Sequence, residues 1–555
     1  MVSRRVGTRG GTSLPPEPPR HGGDPAGANA VLMLDPTTAY RTRELAEIRP
    51  TSFVSGALLV RGQDPATWRA LRDAAADAGF VVDEVDGLGL DLLEAAGLAP
   101  EHREELSKVW VQRVTLVPDP ERRDSVFRAL DTWRLLQSYR ARVGADKQRS
   151  SDVGLEHPVS RGARPNPYTS PHPYTSPHPY TSPHPYTSPH PYTSPHPYTS
   201  PHPEGLSLYA EAGWGGRQPV NWLGPQPSTR LEPGARPRPN VVVLDSGIGK
   251  HPWLTRSHVT REPEVLGAPI GIPSAPGGGE SSGSGDRFTG ELDPDAGHGT
   301  FIAGLVRQAC PDAHILGVRL FHGDGDVTEA HLLKALQLLA LRHLLALEGR
   351  GPDDRDAPYE PVDVLSLSLG YYHEQPEDAS FDPLLRGPLD LLGGYGVCTV
   401  VAAGNDATNR PNYPAAFAPR DGLGDRTRVP VVAVGALNPD GTVALFSNDG
   451  PWVRFWRPGA SLVSTMPTTF DGSEAARNVL VNDRGETRAG LDPDDFTAGF
   501  GVWSGTSFAA PVFAGELAHR LLEDMVQNRR GSTPAQVVQR TRAVLATMPA
   551  IGARP

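Results

Sequence analysis

A chain of 555 residues is too long for one ordinary hydrophobic core, so the expected plan is two folded units joined by linkers. Its 60 glycines and 58 prolines, against only 38% hydrophobic residues, point to long stretches outside any core rather than to a weak core throughout. The net charge is −11 and lysine and arginine are scattered, which excludes a nucleic-acid footprint and favours protein or peptide partners.

Residues 1–28 are rich in proline, glycine and arginine and read as a disordered lead. Arg4, Arg5 and Arg9 precede no apolar segment, so no secretory signal is seen. No run approaches 18 apolar residues, so no membrane partner is expected. The two cysteines, Cys310 and Cys398, lack metal-ligand spacing and suit a reducing compartment, and the expected location is cytoplasmic.

Residues 29–142 read as a small α/β domain. Phe53 to Arg61 has the pattern of a strand, Pro65 to Gly79 of an amphipathic helix, and Phe80 to Val85 of a second strand. A strand over Val109 to Val117 and a helix from about Pro120 to Arg142 repeat the alternation. Residues 143–234 read as a linker. Within it, Pro167 to His202 is six perfect copies of Pro-Tyr-Thr-Ser-Pro-His. Two prolines in every six residues forbid ladders and favour polyproline II, so this tract reads as a spacer or a proline-recognition ligand. Its six histidines are a weaker pointer to metal.

From 235 to 545 the pattern is α/β. Val241–Leu244, Ile315–Leu320, Val362–Leu369, Val397–Ala403 and Val431–Val434 are short apolar runs of the kind buried on both faces. They imply a mostly parallel sheet with helices on both faces, and Asp326-Val-Thr-Glu329 reads as a capping-box-like helix start. In such a sheet the ligand crevice lies at the C-terminal strand ends, where Asp245 closes the first run. Residues 546–555 form a tail.

Three residues then carry chemistry, in the order Asp245, His298, Ser507. A serine is inert at neutral pH without a base. His298, followed by Gly299 and Thr300, can take its proton and return it to a leaving amine. Asp245 can hold the imidazole in one tautomer. The helix opening at Ser507 would aim free N–H groups at the reacting carbonyl, with Pro511 tolerable near its start. Asn405, directly after the buried run Val400-Val-Ala-Ala-Gly404, can donate to a developing oxyanion.

The segments Asp245-Ser246-Gly247, His298-Gly299-Thr300, Ala403-Gly404-Asn405 and Gly505-Thr-Ser-Phe-Ala-Ala-Pro511 resemble the signature blocks of the subtilisin-like serine endopeptidases. Asp363 to Gly370, Val432 to Gly435, Phe446 to Asn448 and Pro458 to Ala460 extend the likeness over roughly residues 235 to 545. The resemblance implies a serine endopeptidase with catalytic Asp245, His298 and Ser507, and Asn405 in the oxyanion hole. Ser368, Leu369 and Gly370 with Ala402, Ala403 and Gly404 would wall the pocket for the residue preceding the scissile bond. Asp406 either favours a basic or polar side chain there or is simply solvated. Tyr371, Tyr372 and His373 are bulky where relatives are small, and the Gly/Ser-rich stretch 275–295 is expected to form an exposed loop. No cofactor is required by this reading. Relatives often bind structural calcium, and Asp293, Asp295, Asp324 and Asp326 are candidate ligands, though none is assigned.

His314, His322, His331 and His343 read as surface or packing residues, and both cysteines as buried, inert thiols. Residues 29–142 fit either an inhibitory propeptide or a permanent regulatory domain, and the missing secretion signal tilts the expectation to the latter. The alternative to a protease is a catalytically restrained peptide-binding scaffold, or an acyl transferase using the same acyl-enzyme.

Overall fold

The computed structural model describes residues 30–551 apart from 41–47, 123–129, 161–208, 210–211, 213–214, 233–236, 275–279, 281–288, 322–326, 353–356, 375–383 and 529–532. The repeat tract, His322, Asp324 and Asp326 therefore lie outside the described residues.

The larger unit is built on a seven-stranded sheet, ordered Val259–Arg261, His314–Arg319, Asn240–Asp245, Val364–Leu367, Cys398–Ala402, Val432–Leu437 and Val453–Pro458. Every neighbouring pair is parallel, as the expected fold class requires. Asn240–Asp245 is buried along its whole length, which is why its sequence is a continuous apolar run instead of an alternating one. Helices His298–Ala309 and Thr506–Asn528 pack on one face, and Glu329–Leu347 and Arg386–Gly394 on the other. Glu329–Leu347 is the one helix among the described residues long and apolar enough to cross a membrane, and 83% of its apolar window is buried in the core. Its start is simpler than the capping-box pattern: Thr328 is the N-cap residue, makes no side-chain capping bond, and its hydroxyl meets His331 instead.

The N-terminal unit is a four-stranded antiparallel sheet ordered Phe80–Asp86, Val111–Pro118, Ala57–Arg61 and Val153–Leu155. The expected strand over Phe53 to Arg61 is split. Gly56, at φ 78°, turns the chain between Thr51–Val54 and Ala57–Arg61, a conformation glycine adopts without a Cβ penalty. The helix Pro65–Ala78 is bounded by clear signals: Asp64 accepts from Ala66 and Thr67 N–H at its start, and Gly79 is left-handed at its end. Of the second helix, expected from about Pro120 to Arg142, the structure shows Thr132–Val143, and residues 123–129 of that span lie outside the described residues. Strand Val153–Leu155 completes the sheet beyond residue 142, where the sequence pattern placed the boundary.

One face of this small sheet carries helices Pro65–Ala78 and Thr132–Val143. The other side lies against the large unit, with Leu59, Leu106 and Trp110 sharing a core with Leu332, Leu336 and Leu389. Buried Gln337 clips the two units together: its Oε1 accepts from Val111 N–H at 2.6 Å and its Nε2 donates to Val111 C=O at 3.3 Å. Glu348 accepts from Ala99 N–H at 3.0 Å and sits 2.6 Å from His102 Nδ1.

Beyond the small sheet the chain runs along the large unit as an added strand. Pro158–Val159 pairs antiparallel with Val327–Thr328, and Ser160 exchanges backbone hydrogen bonds with Gly370 at 3.0 and 3.3 Å. On the far side of the repeats, Gln218–Pro219 pairs with Phe500–Trp503.

Candidate active site

Asp245 ends its strand at the C-terminal edge of the sheet and is 1% exposed. Its carboxylate accepts from the neighbouring Ser246 N–H at 2.7 Å and meets His298 Nδ1 at 2.8 and 2.9 Å. Two contacts on one ring nitrogen set the imidazole's orientation and leave Nε2 as the working end. Ser246 Oγ accepts from Gly299 N–H at 2.9 Å, so both signature loops are locked together.

His298 opens its helix immediately after left-handed Gly297. Glu280 supports this start: Oε1 accepts from Gly297 N–H at 3.1 Å and Oε2 from the Thr300 hydroxyl at 2.9 Å. A carboxylate there meets the N-cap N–H and faces the positive dipole end of the helix. Glu280 is buried, so the stretch expected to be an exposed loop dips into the protein at this residue. Nothing in its Gly/Ser-rich neighbourhood signals that. Asp293 and Asp295 flank Arg217, whose guanidinium donates to the carbonyls of Asp293 and Ala296 and lies over Trp503.

Ser507 stands in the first turn of helix Thr506–Asn528, and the next residue, Phe508, packs its ring 5.1 Å from that of His298. Trp503 packs edge-on against the same imidazole at 5.6 Å and against Phe508 at 5.2 Å. Pro511 has a sharper consequence than tolerance. It lacks the N–H that would bond the carbonyl four residues back, which is that of Ser507. The Ser368 hydroxyl donates to this carbonyl at 2.8 Å instead, tying the end of the Val364–Leu367 strand to the serine.

Asn405 is fixed by its oxygen. Oδ1 accepts from Thr506 N–H at 2.9 Å and from the Thr506 hydroxyl at 2.8 Å, leaving Nδ2 as the end that can donate. Gly404, at φ 107°, precedes it; a Cβ there would lie 2.2 Å from Asn448 Nδ2. Ser368, Leu369 and Gly370 follow one central strand, and Ala402, Ala403 and Gly404 end and follow its neighbour, so these two segments lie side by side.

Asp406 is not simply solvated. The Tyr372 hydroxyl donates to Oδ2 at 2.5 Å, Asn448 accepts its backbone N–H, and Oδ1 is buried with no hydrogen bond among the described residues. Burial pushes its carboxyl up to about 6, against the lowering effect of Tyr372 and Arg410. Tyr371 and Tyr372 are buried in a short ribbon with Asn412–Tyr413. Cys310 and Cys398 are buried free thiols, and burial raises both to about 12, which removes them as nucleophiles. His314 bonds Thr260, and buried His343 accepts from Val362 N–H.

A family model described as the subtilase family, Peptidase S8, matches residues 238–545. Serine protease AprX of Bacillus subtilis (strain 168) is 27% identical over 294 residues, 50% of this chain and 55% of its own length. Minor extracellular protease Epr of the same organism is 26% identical over 40% of this chain and 27% of its own length. The chain thus spans about half the length of the first relative and less of the second. A solved structure of a lanthipeptide protease overlays with a TM-score of 0.33 at 18% identity, covering 54% of this chain and 79% of that one. With more than half of its length matched by the family model, the chain belongs to the subtilase family.

Proposed function

We propose that this protein is a serine endopeptidase that hydrolyses peptide bonds through an acyl-enzyme on Ser507. His298 acts as general base and then general acid, Asp245 orients it, and Asn405 donates to the oxyanion. The observation that carries this reading is the paired fixing of the two polar groups: His298 Nδ1 on Asp245, and Asn405 Oδ1 on Thr506. Each leaves one free functional end, Nε2 and Nδ2. A peptide-binding scaffold would need neither orientation. A fluorophosphonate probe should label the chain, and Ser507→Ala should abolish labelling. A wild type freed of its N-terminal unit that stays unlabelled refutes the enzyme reading.

The same proposal makes the N-terminal unit an inhibitory propeptide. Pairing of Pro158–Val159 and Ser160 along Val327–Thr328 and Gly370 is how a peptide substrate would add to the sheet edge, so this tail occupies the approach to the site. The polyproline tract would then separate the tail from the segment anchored by Gln218–Pro219. Wild type should cut itself within a few residues after Ser160 and gain activity, while Ser507→Ala stays whole. A full-length wild type with undiminished activity refutes the inhibitory role. An intracellular setting belongs to this reading only through the two unpaired thiols. Asp406, ionised above about pH 6, would favour basic or polar residues before the scissile bond, which a peptide library would score.

A further inference from the structure

A second cluster of functional side chains lies where the N-terminal tail meets the large unit. His157, one residue before the added strand, is buried with its ring between two carboxylates. Its Nδ1 faces Glu329 Oε2 at 2.8 Å and its Nε2 faces Glu374 Oε2 at 3.0 Å. Glu329 is itself held by the Tyr371 hydroxyl at 2.9 Å, and the Tyr371 ring stacks on His157 at 4.7 Å. His373 Nδ1 approaches the same Glu374 oxygen at 3.5 Å. Glu374 is fully buried, and its Oε1 has no hydrogen bond among the described residues.

We propose that a zinc-class dication binds His157 Nε2, His373 Nδ1 and the Glu374 carboxylate, and pins the N-terminal tail to the large unit. Ligand atoms of these three residues lie within 4.8 Å of one another, so small side-chain shifts bring them to the roughly 3.4 Å edge that metal–ligand bonds of about 2.1 Å set in a tetrahedral site. The set of two imidazoles and one carboxylate selects zinc, copper or nickel over calcium and magnesium. Glu329 plays the outer role, accepting from His157 Nδ1–H and so presenting Nε2 to the ion. A cavity of about 20 Å³ beside His157 and His373 has room for one water as a fourth ligand. Arg140 acts on Glu374 electrostatically and is a competing cation. Without metal, burial works against a charged His157 but the two carboxylates override it and raise its pKa to about 9, so a proton is the rival occupant.

The site bridges two parts of the chain, since His157 comes from the tail and His373 and Glu374 from the large unit. Its regulatory meaning, a metal clamp on the inhibitory tail, rests on the propeptide reading above; its existence does not.

The test uses full-length Ser507→Ala without an affinity tag, stripped with EDTA and titrated with ZnCl₂. One tight equivalent is expected, lost in His157→Gln and in Glu374→Gln, with any weak binding by the six repeat histidines unchanged. Glu329→Gln keeps all three ligands and should weaken the tight site 10- to 100-fold. Cobalt(II) on this Ser507→Ala chain with all three ligands intact should give the intense visible bands of a tetrahedral site, a readout that survives if a ligand variant fails to fold. No tight equivalent and no such bands, or a tight site indifferent to Glu374→Gln in a folded variant, overturns the proposal. Zinc bound at this site in a chain whose activity its N-terminal unit does not restrain would refute the propeptide reading alone. Full restraint with no bound metal would refute the clamp alone.

Discussion

Pro511 and Ser368 are 143 positions apart, yet one repairs what the other removes. The Ser507 carbonyl has no helical partner because Pro511 has no N–H, and Ser368 Oγ supplies the bond. Ser368→Ala should therefore leave a buried acceptor unmet and cost about 1–3 kcal/mol of stability. Pro511→Ala restores the N–H, so the double variant should recover most of that loss in urea unfolding of the Ser507→Ala background. Recovery absent from the double variant would show that Ser368 acts elsewhere. With the proposed role as oxyanion donor, Asn405→Ala should lower kcat by about 10²–10³-fold with little change in KM, because such a donor acts only once charge develops on the oxygen.

Asp406 gives a pH dependence with a definite sign. Its carboxyl is raised in the fold from its ordinary 3.8 to about 6, so the neutral form is the one the fold favours. That contribution is complete below about pH 4 and is lost as pH rises through about 6, a change of up to about 3 kcal/mol. Asp406→Asn cannot ionise. Its stability relative to the parent should therefore rise between pH 4 and pH 8, measured as the difference between paired urea curves. A flat difference would mean that Asp406 is more hydrated than its burial indicates.

At the scale of elements, the added strand is the feature with most leverage. Ser160 N–H donates to Gly370 and Gly370 N–H returns the bond. Ser160→Pro removes the first of these and should slow self-cleavage about tenfold, because one backbone bond is worth roughly 0.5–1.5 kcal/mol. The rate is read by intact mass over time. An unchanged rate would mean that the strand does not align the bond that is cut. Strand patterns in the large unit were legible because burial on both faces leaves continuous apolar runs, as in Val241-Val242-Val243-Leu244. The split at Gly56 was not, because Phe53 to Arg61 is apolar enough to read as one strand and the turn rests on a single glycine. Helices Leu90–Ala95 and Pro100–Val109 give no legible pattern either, being short and polar on most faces, and they are held by Leu93 and Leu106 against the large unit.

Across the whole molecule, the two units share one core, and buried Gln337 holds both polar groups of Val111 across that seam. Gln337→Leu keeps the volume but leaves Val111 N–H and C=O buried without it, and should cost about 1–3 kcal/mol. The expected outcome is an earlier unfolding step of the N-terminal unit in Ser507→Ala protein, followed by hydrogen exchange at Val111. Unchanged exchange would show that the interface does not depend on this clip.

The parallel sheet, the small α/β unit before it and the family were all legible in the chain alone. Short-range chemistry explains this: apolar runs, turn glycines and the blocks around Asp245, His298, Asn405 and Ser507 each make sense within a few residues. Glu280 under the His298 helix, Ser368 on the Ser507 carbonyl and His157 between Glu329 and Glu374 were not legible. Their partners lie 17 to 217 positions away, and a side chain of ordinary type in an ordinary local setting announces nothing until folding brings its partner within bonding distance.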